Sequence, residues 1–345
     1  MLLYYLKYIS SICIVLLLCN DNVYSQVNDN INSTKKNVSN DIPKSSNSAK
    51  PIAGDGISSF LKRHGFEPSE YKKEFLELNK GHFGKDNQLL LHYSYTLPPK
   101  VSQTIVEPLF GEANKTIEIT SSALKGATYY LVSGKGGPDP GAMSKLNGKD
   151  LCEDEYAYDI VLRLARLLMQ HGAKVHIIIQ DEDDGIRDDE ILAMDDHETC
   201  LGEAIPLDQN KRLQQRSDAI NKLYASERKG YCRALFLHLD SRSKKESIDV
   251  FFYHFKKSKL GIRLAENIRS KFEDKYKQHQ PNRGFSGTIS ERNLFVLKES
   301  YPPCVFIELG NIQNVKDRVR FLKSSNREAL AKWITEALID DYKNR

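Results

Sequence analysis

The sequence has little net charge, few cysteines and only one long apolar run, and each shortage excludes a class of protein. Its 345 residues hold 50 Lys and Arg against 46 Asp and Glu, a formal net charge of +4. That excess is too small to indicate nucleic-acid binding, and a single apolar run excludes a membrane protein with several spans. Six cysteines are too few for a disulfide scaffold in a chain of this length. The composition, 40% hydrophobic and 28% charged, is typical of a folded, soluble protein.

The one apolar run lies at the amino terminus and predicts a signal peptide over residues 1–25. Lys7 gives a weakly positive start, Ile9 to Leu18 is the apolar stretch, and Val23-Tyr24-Ser25 offers the small residues that a signal peptidase recognises. The run is short for a membrane span of roughly 20 residues. Two alternatives stay open, an uncleaved anchor and a lipoprotein acylated at Cys19. We therefore predict a secreted or periplasmic protein of the cell envelope, with no stable membrane span after cleavage.

Residues 26–50 predict a disordered linker, because they are rich in Asn, Ser, Lys and Asp and hold almost nothing apolar to offset the entropy of ordering. Beyond the linker the cysteines are widely spaced and form no CxxC pair, which argues against a metal-binding knot. They are Cys152, Cys200, Cys232 and Cys304. In an oxidising compartment some of them could pair, and the sequence does not indicate which.

Residues 51–98 have the pattern of a small α+β module. The module opens at Gly54-Asp55-Gly56, two short helices follow, Asn79 stands after the second helix, and Tyr95 to Pro98 predicts a closing strand. These features resemble a lysin-motif (LysM-like) module. The resemblance implies binding of glycans that contain N-acetylglucosamine. A structural module without a ligand is the alternative, because His92 stands where such modules often carry glycine.

Residues 99–126 predict a connector with a short strand of its own, and residues 127–345 form a large domain in which strand and helix periodicities alternate. Strands are predicted at 128–132, 175–179, 234–239, 250–253, 294–297 and 305–309. Helices are predicted at 156–170 and 211–224, after a cap at Ser258, and across Leu330 to Leu338. This alternation predicts an α/β domain with a mixed, largely parallel sheet flanked by helices.

Ionisable residues recur where these predicted elements begin or end, which is where open α/β sheets carry their chemistry. The glycine-rich run from Ser133 to Ala142 follows the first strand, and Glu153 opens the next helix. His238 and Glu308 lie within strands that are otherwise apolar. A buried charge without a partner is costly, and a metal ion would offset that cost.

Each of these features also has a purely structural explanation. His238 fits a hydrogen-bonded core histidine, Glu308 a partner of an arginine, and Glu153 a carboxylate that favours the start of a helix. The glycine-rich run fits a tight turn or a phosphate cradle. It lacks the GK[ST] ending of a P-loop and the GxGxxG order of a dinucleotide-binding turn, so neither nucleotide site is indicated.

Taken together, these residues resemble the zinc-dependent N-acetylmuramoyl-L-alanine amidases of bacterial cell walls. The family pattern runs HGGxDPGA, then Glu at a helix start, then His in a strand, then ExGFxxN. The matching positions here are Lys135 to Ala142, Glu153, His238 and Glu308 to Asn314. The helix that bears Arg212 and Arg216 and the turn Asn282-Arg283-Gly284 also look like family features.

The resemblance implies hydrolysis of the amide bond between N-acetylmuramic acid and L-alanine in peptidoglycan. It implies a Zn2+ cofactor whose ligands here include Glu153 and His238, with Glu155 as the alternative to Glu153. Glu308 is implied as the general base and Arg283 as a substrate-binding residue. Peptidoglycan is the implied partner, and a regulatory protein is left open.

One position that the chemistry uses departs from the pattern, because the first family ligand is a histidine and this chain has Lys135. A lysine ammonium has no lone pair and repels zinc until it loses its proton. Three hypotheses therefore stay open. The chain is a working amidase, or an impaired homologue that binds peptidoglycan or regulates cell-wall hydrolysis, or a glycan-binding surface protein whose large domain is scaffold. The retained Glu153, His238 and Glu308 favour the first two.

Overall fold

The structure, a computed structural model, describes residues 47–99, 103–227, 230–240, 247 and 249–345. The predicted signal peptide and most of the predicted linker lie outside these ranges. The described residues divide into two compact units, one of residues 47–56 and 73–98, the other of residues 57–72 and those from 99 onward. Within the described ranges, no helix combines the length and apolar character that a bilayer span requires.

The chain before residue 99 is ordered as strand, helix, helix, strand. The elements are β1 (Ser48–Ala49), α1 (Ile57–Arg63), α2 (Pro68–Leu78), a 3-10 turn at Lys85–Asn87 and β2 (Tyr95–Thr96). Strands β1 and β2 pair antiparallel, with Ser48 opposite Thr96. The prediction of a linker that reaches residue 50 is therefore wrong at its end. A long-range backbone pairing orders Ser48 and Ala49, and local composition does not report such a pairing.

Asn79 has a structural role that explains why an asparagine follows α2. Its side chain is buried. Nδ2 donates to the carbonyl oxygens of Phe75 at 2.9 Å and Thr96 at 2.8 Å, and Oδ1 accepts from the Thr96 amide at 2.8 Å. The amide group thus satisfies backbone groups of both α2 and β2, which an apolar side chain would leave unpaired.

The predicted connector contains a hairpin, β3 (Thr104–Val106) and β4 (Thr116–Glu118), with a 3-10 turn at Pro108–Phe110 between the strands. The strands of the large domain follow as β5 (Ala127–Ser133), β6 (Met143–Leu146), β7 (Lys149–Cys152), β8 (Lys174–Ile177), β9 (Ile179–Gln180), β10 (Thr199–Cys200), β11 (Glu203–Ala204), β12 (Tyr231–Asp240), β13 (Phe251–His254), β14 (Thr288–Glu291) and β15 (Cys304–Asn311). Its helices are α3 (Glu153–Gln170), α4 (Gln209–Glu227), α5 (Lys259–His279), α6 (Phe295–Glu299), α7 (Val315–Leu322) and α8 (Ser324–Lys343).

A six-stranded sheet organises the large domain in the order β14-β13-β15-β12-β5-β8. Strands β8, β5, β12 and β15 run parallel, while β13 joins β15 antiparallel and carries β14 parallel to itself. The mixed, largely parallel sheet is thereby confirmed. A hairpin of β6 and β7 and a small sheet of β9, β10 and β11 extend from the loops.

Helices cover both faces of the sheet, because neighbouring residues of each central strand point to opposite sides. Leu131 and Leu235 face a core shared with α3, α5 and α8. Val132 and Phe236, one residue further along each strand, face a second core with α4 and α6. Each buried apolar side chain of this size contributes about 1.5–3 kcal/mol. The predicted cap of α5 is also present, since the Ser258 hydroxyl accepts from the Gly261 amide at 3.1 Å.

One predicted strand is wrong and another is shorter than expected. Residues 294–297 were predicted to form a strand. Phe295–Glu299 is instead a helix, in which the consecutive Val296 and Leu297 are both buried. Periodicity does not separate a short apolar run in a strand from one in a buried helix. The strand at 175–179 breaks after Ile177, and Ile179–Gln180 joins the small sheet instead.

Buried polar side chains tie α8 to α3. Arg327 and Asp159 are both fully buried, and the Arg327 Nε donates to Asp159 Oδ2 at 2.6 Å. Arg163 donates to the same oxygen at 2.8 Å, so one carboxylate serves two guanidinium groups. The four described cysteines are also buried, and all carry free thiols. Burial raises the pKa of the Cys304 thiol to about 12, which keeps it protonated.

Candidate active site

The carboxyl ends of β5, β12 and β15 meet at one cavity of about 450 Å³. Lys135, Glu153, His238 and Glu308 all line it. This convergence follows from the topology, because the carboxyl ends of parallel strands lie at the same edge of a sheet. Four residues that are distant in sequence are thus brought together as the sequence predicts.

Glu153 and His238 are in direct contact. Glu153 Oε1 lies 2.8 Å from His238 Nδ1 and also accepts from the Leu239 amide at 3.3 Å, while Oε2 accepts from the Ala142 amide at 2.8 Å. Three contacts therefore fix a carboxylate that is almost fully buried. Glu155, the alternative ligand, instead pairs with Arg187 at 2.9 Å and does not line the cavity.

His238 is held between a ring and a loop. Phe306 stacks on the imidazole with ring centroids 4.1 Å apart and planes 17° apart. On the loop that follows β5, a Cβ at Gly134 would lie 2.3 Å from His238 Nδ1. Glycine at this position is therefore required for the imidazole to reach Glu153. Glu308 stands directly opposite His238 in the β12–β15 register, so both side chains belong to the same edge of the cavity.

Lys135 occupies a strained backbone position beside this pair. Its φ is +72°, in the left-handed region that few residues other than glycine adopt. Its Nζ lies 3.7 Å from Asp139 Oδ2, and the same oxygen accepts from Arg212 Nη2 at 2.7 Å. Arg216 donates to the Lys135 carbonyl oxygen. The two arginines of α4 therefore fix the turn that carries Lys135, and burial lowers the pKa of Arg216.

A zinc ion fits this donor set only in part. The Glu153 carboxylate and the His238 imidazole are ordinary zinc ligands, and they are close enough to face one ion. Lys135 lines the same cavity at the position where the family pattern has its first histidine, and its ammonium offers no lone pair. The residues present therefore supply two protein ligands of the three that a catalytic zinc site requires.

Among the described residues, carboxylates that are close enough to share an ion form two other groups of three. The groups are Asp154, Glu155 and Glu198, and Asp181, Asp195 and Glu198. Burial, together with the nearby Glu198 and Glu155 carboxylates, raises the pKa of Asp154 to about 9. The sequence analysis did not single out these groups. The available signal was the segment 181–198, in which 10 of 18 residues are Asp or Glu.

Arg283 does not line the cavity with the other predicted site residues. It pairs with Asp249 at 2.5 Å, which also pairs with Arg320 at 3.0 Å, and its guanidinium lies over the Tyr276 ring at 4.9 Å. Its substrate-binding role stays a prediction. Asn314, which ends the ExGFxxN-like segment, caps α7 by accepting from the Lys316 and Asp317 amides.

Comparison with known proteins points to one family. A family model described as N-acetylmuramoyl-L-alanine amidase matches residues 130–340, more than half of the chain. The relative named "Probable cell wall amidase LytH" from Staphylococcus epidermidis is 25% identical over 220 residues, which are 64% of this chain and 60% of the relative. This chain thus spans about 60% of the length of the curated relatives that it matches.

The chain is also similar to solved structures, among them two with TM-scores of 0.44 and 0.46. The N-acetylmuramoyl-L-alanine amidase AmiC2 of Nostoc punctiforme is 19% identical with a TM-score of 0.44, over 65% of this chain and 99% of that chain. Cwp6 from Clostridium difficile is 20% identical with a TM-score of 0.46, over 64% of this chain and 30% of that chain.

Proposed function

Because the chain belongs to the N-acetylmuramoyl-L-alanine amidase family, we propose that it hydrolyses the amide bond between N-acetylmuramic acid and L-alanine in peptidoglycan. The observation that carries the proposal is the meeting of Glu153, His238 and Glu308 in one cavity. A carboxylate–imidazole pair can supply two ligands of a metal, and a second carboxylate can act as the general base in hydrolysis of an amide.

Glu153 and His238 would hold the zinc on which the family in general depends. When bound, zinc acts as a Lewis acid that activates water and polarises the amide carbonyl. The protein contributes orientation. The Ala142 and Leu239 amides fix the Glu153 carboxylate, and the Phe306 ring fixes the plane of the imidazole. Second contacts of this kind set the direction of a ligand's lone pair.

Glu308 is proposed as the general base. It lines the cavity one strand away from His238 and in register with it, so its carboxylate is directed to the same volume as the ligand pair. It would take a proton from the attacking water and return it to the leaving amine of L-alanine. Without that proton the leaving group would be an amide anion, which is a very poor leaving group.

A second candidate function rests on Lys135. With an ammonium near Asp139 in place of a third ligand, the chain would bind peptidoglycan or regulate another hydrolase without turnover of its own. The two candidates differ only in whether this site completes the reaction, so one assay separates them.

We propose that the protein acts in the cell envelope, secreted or periplasmic. The predicted signal peptide and the name of the cell wall amidase relative support this location. We also propose that residues 51–98 hold peptidoglycan glycan strands. The strand–helix–helix–strand order and the Asn79 contacts support a LysM-like module. Cosedimentation of the protein with insoluble peptidoglycan, with and without competing N-acetylglucosamine oligomers, tests this binding.

The amidase assay decides the main proposal. The protein without its predicted signal peptide is incubated with purified peptidoglycan and zinc, and mass spectrometry scores peptides released with a free L-alanine amino terminus. Glu308→Gln, which keeps the size and removes the base, should lower the rate by about 10²–10⁴-fold. Activity in the unchanged protein and its loss in this variant support the amidase. Activity that appears only when Lys135 becomes histidine supports the impaired homologue, and no activity in either protein contradicts the proposal.

A further inference from the structure

A cluster of three carboxylates lies beside the glycine-rich loop but outside the cavity. Asp154 and Glu155 are in the first turn of α3, and Glu198 comes from the end of the acidic segment 181–198. One oxygen from each lies within 4.8 Å of the others. All three side chains are buried, with residue exposures of 2%, 2% and 5%. Three carboxylates this close and this deep repel one another unless something neutralises them.

The two side-chain oxygens of Asp154 differ in their hydrogen bonds. Its Oδ1 accepts from the Glu155 amide at 3.0 Å, but its buried Oδ2 has no hydrogen-bond partner among the residues that the structure describes. A buried oxygen of this kind costs free energy that native proteins rarely leave uncompensated. A buried carboxylate oxygen without a hydrogen bond, close to other carboxylates, is available to ligate a cation.

Protein cations do not balance the group. Arg187 pairs with Glu155 Oε2 at 2.9 Å and also contacts Asp184. Glu198 and Asp154 have no ion-pair partner among the described residues, and Glu198 also shares its surroundings with Asp181 and Asp195. Without a bound cation the group must either take up protons, as the raised pKa of Asp154 indicates, or hold negative charge where water is largely excluded.

We propose that Asp154, Glu155 and Glu198 bind a hard divalent cation, Ca²⁺ being the ion that their oxygens suit. Calcium takes carboxylate oxygens at about 2.3–2.6 Å, so ligands on opposite sides of the ion lie roughly 5 Å apart. The three oxygens of this group all lie within 4.8 Å of one another, so one ion of this size can reach all of them. Oxygen-only donors favour calcium or magnesium over zinc, and calcium accepts irregular arrangements more readily. This site is separate from the proposed zinc position and does not depend on the proposed reaction.

The contacts of Asp154, Glu155 and Glu198, the acidic triad, indicate which parts of the structure a bound ion would connect. Glu198 Oε2 accepts from the Gly137 amide at 2.8 Å, and Glu155 Oε1 accepts from the Asp195 amide at 3.0 Å. A bound ion would therefore join the glycine-rich loop, the acidic segment and the start of α3. Glu153 is the first residue of that same helix. Calcium should stabilise the region that positions the cavity without entering it.

The experiment measures Ca²⁺ binding to the whole protein after removal of metals with a chelator. Calorimetric titration with CaCl₂ should give one saturable site, and the melting temperature should rise with CaCl₂ concentration because the ion binds only the folded state. His238→Ala should keep this binding, which separates the site from the proposed zinc position. Absence of saturable binding up to about 10 mM, above the range of weak extracellular calcium modules, would overturn the proposal.

Two matched variants locate the site. Asp154→Asn removes one carboxylate, and with it the charge that the ion would bind, without changing shape, and it should weaken Ca²⁺ binding by at least about 10-fold. Asp196→Asn removes the same charge from an exposed residue of the same segment and should leave binding unchanged. Equal effects of both variants would show general electrostatic attraction and would contradict the site. If Asp154→Asn does not fold, Glu198→Gln replaces it with the same expected loss.

Discussion

Glu153 Oε1 and His238 Nδ1 lie 2.8 Å apart, and this contact joins the first residue of α3 to β12. It exists because backbone amides at Ala142 and Leu239 already direct the carboxylate. The pair is therefore prepared by the fold before any metal is added. Lys135 lines the same cavity, at the position where the family pattern has its first histidine.

We predict that Lys135→His increases zinc affinity and amidase activity. Histidine supplies the missing lone pair, and among residues other than glycine it is one of those that tolerate a φ near the observed +72°. A third protein ligand should raise affinity by at least about 10-fold, the size of effect that even a ligand's supporting contacts have. Zinc content after dialysis, calorimetric zinc binding and peptidoglycan hydrolysis measure the gain.

Lys135→Ala is the matched control, because it removes the ammonium without adding a ligand. It should leave zinc affinity far below that of the histidine variant. If the histidine and alanine variants bind zinc equally, position 135 does not face the metal and its alignment with the family histidine is wrong.

We predict that Gly141→Ala disrupts the site although it adds one methyl group. A Cβ at Gly141 would lie 2.4 Å from Glu153 Oε2 and 2.5 Å from Lys135 Cγ, so the carboxylate must move. The variant should lose zinc affinity and activity together. Gly148→Ala is the control, because its φ of +81° is equally unfavourable but no atom lies within 4 Å of the new Cβ. It should cost about 1 kcal/mol of stability through backbone strain alone. Equal losses of zinc affinity in both variants would show that strain, not the contact with Glu153, is responsible.

The part of the site that lies at the ends of parallel strands could be predicted from the sequence. The apolar runs around His238 and Glu308 indicated buried strands, and parallel strands bring such ends together. The choice of Glu153 over Glu155 depended on which carboxylate faces β12. Both are buried at the start of α3, and only the packing of that helix distinguishes them.

Other features depend on contacts that composition and periodicity do not encode. The ring of Phe306 belongs to a strand predicted as core, yet it stacks on His238 at the cavity. The segment 294–297 had the residues of a strand but forms part of a short helix. The acidic triad joins Glu198 to Asp154 and Glu155 over more than 40 positions of sequence, and no local pattern reports such a distance.

We predict that Asp159→Asn strongly destabilises the large domain. The Asp159 carboxylate is fully buried and accepts from Arg163 and Arg327. Its neutralisation removes the counter-charge of the buried Arg327 and leaves Arg163 with only its more exposed partners, Asp188 and Glu328. Breaking a buried pair in this way costs about 3–5 kcal/mol. Chemical denaturation of the variant measures the loss. Asp188→Asn, which removes an exposed partner of Arg163, should cost at most about 1 kcal/mol. Similar losses in both variants would contradict the special role of Asp159.

We predict that Arg283→Ala lowers stability and leaves the KM for peptidoglycan unchanged. Arg283 is exposed at one side but pairs with the buried Asp249, outside the cavity. Burial by itself would raise the pKa of Asp249, but hydrogen bonds from Ser286 and Arg283 hold it below its ordinary value. A carboxyl with a lowered folded-state pKa stabilises the fold above about pH 4, and this contribution disappears as the pH falls through the folded-state value.

The stability difference between Arg283→Ala and the unchanged protein should therefore be about 1 kcal/mol near neutral pH and vanish in acid. Denaturation at several pH values measures it. Lys277→Ala is the control, because it removes the same charge from an exposed position of α5 whose partner, Glu273, lies on the surface. A raised KM in Arg283→Ala, with stability equal to that of the control, would instead support substrate binding by Arg283. The folded-state ion pair would then be incidental to the function of this residue.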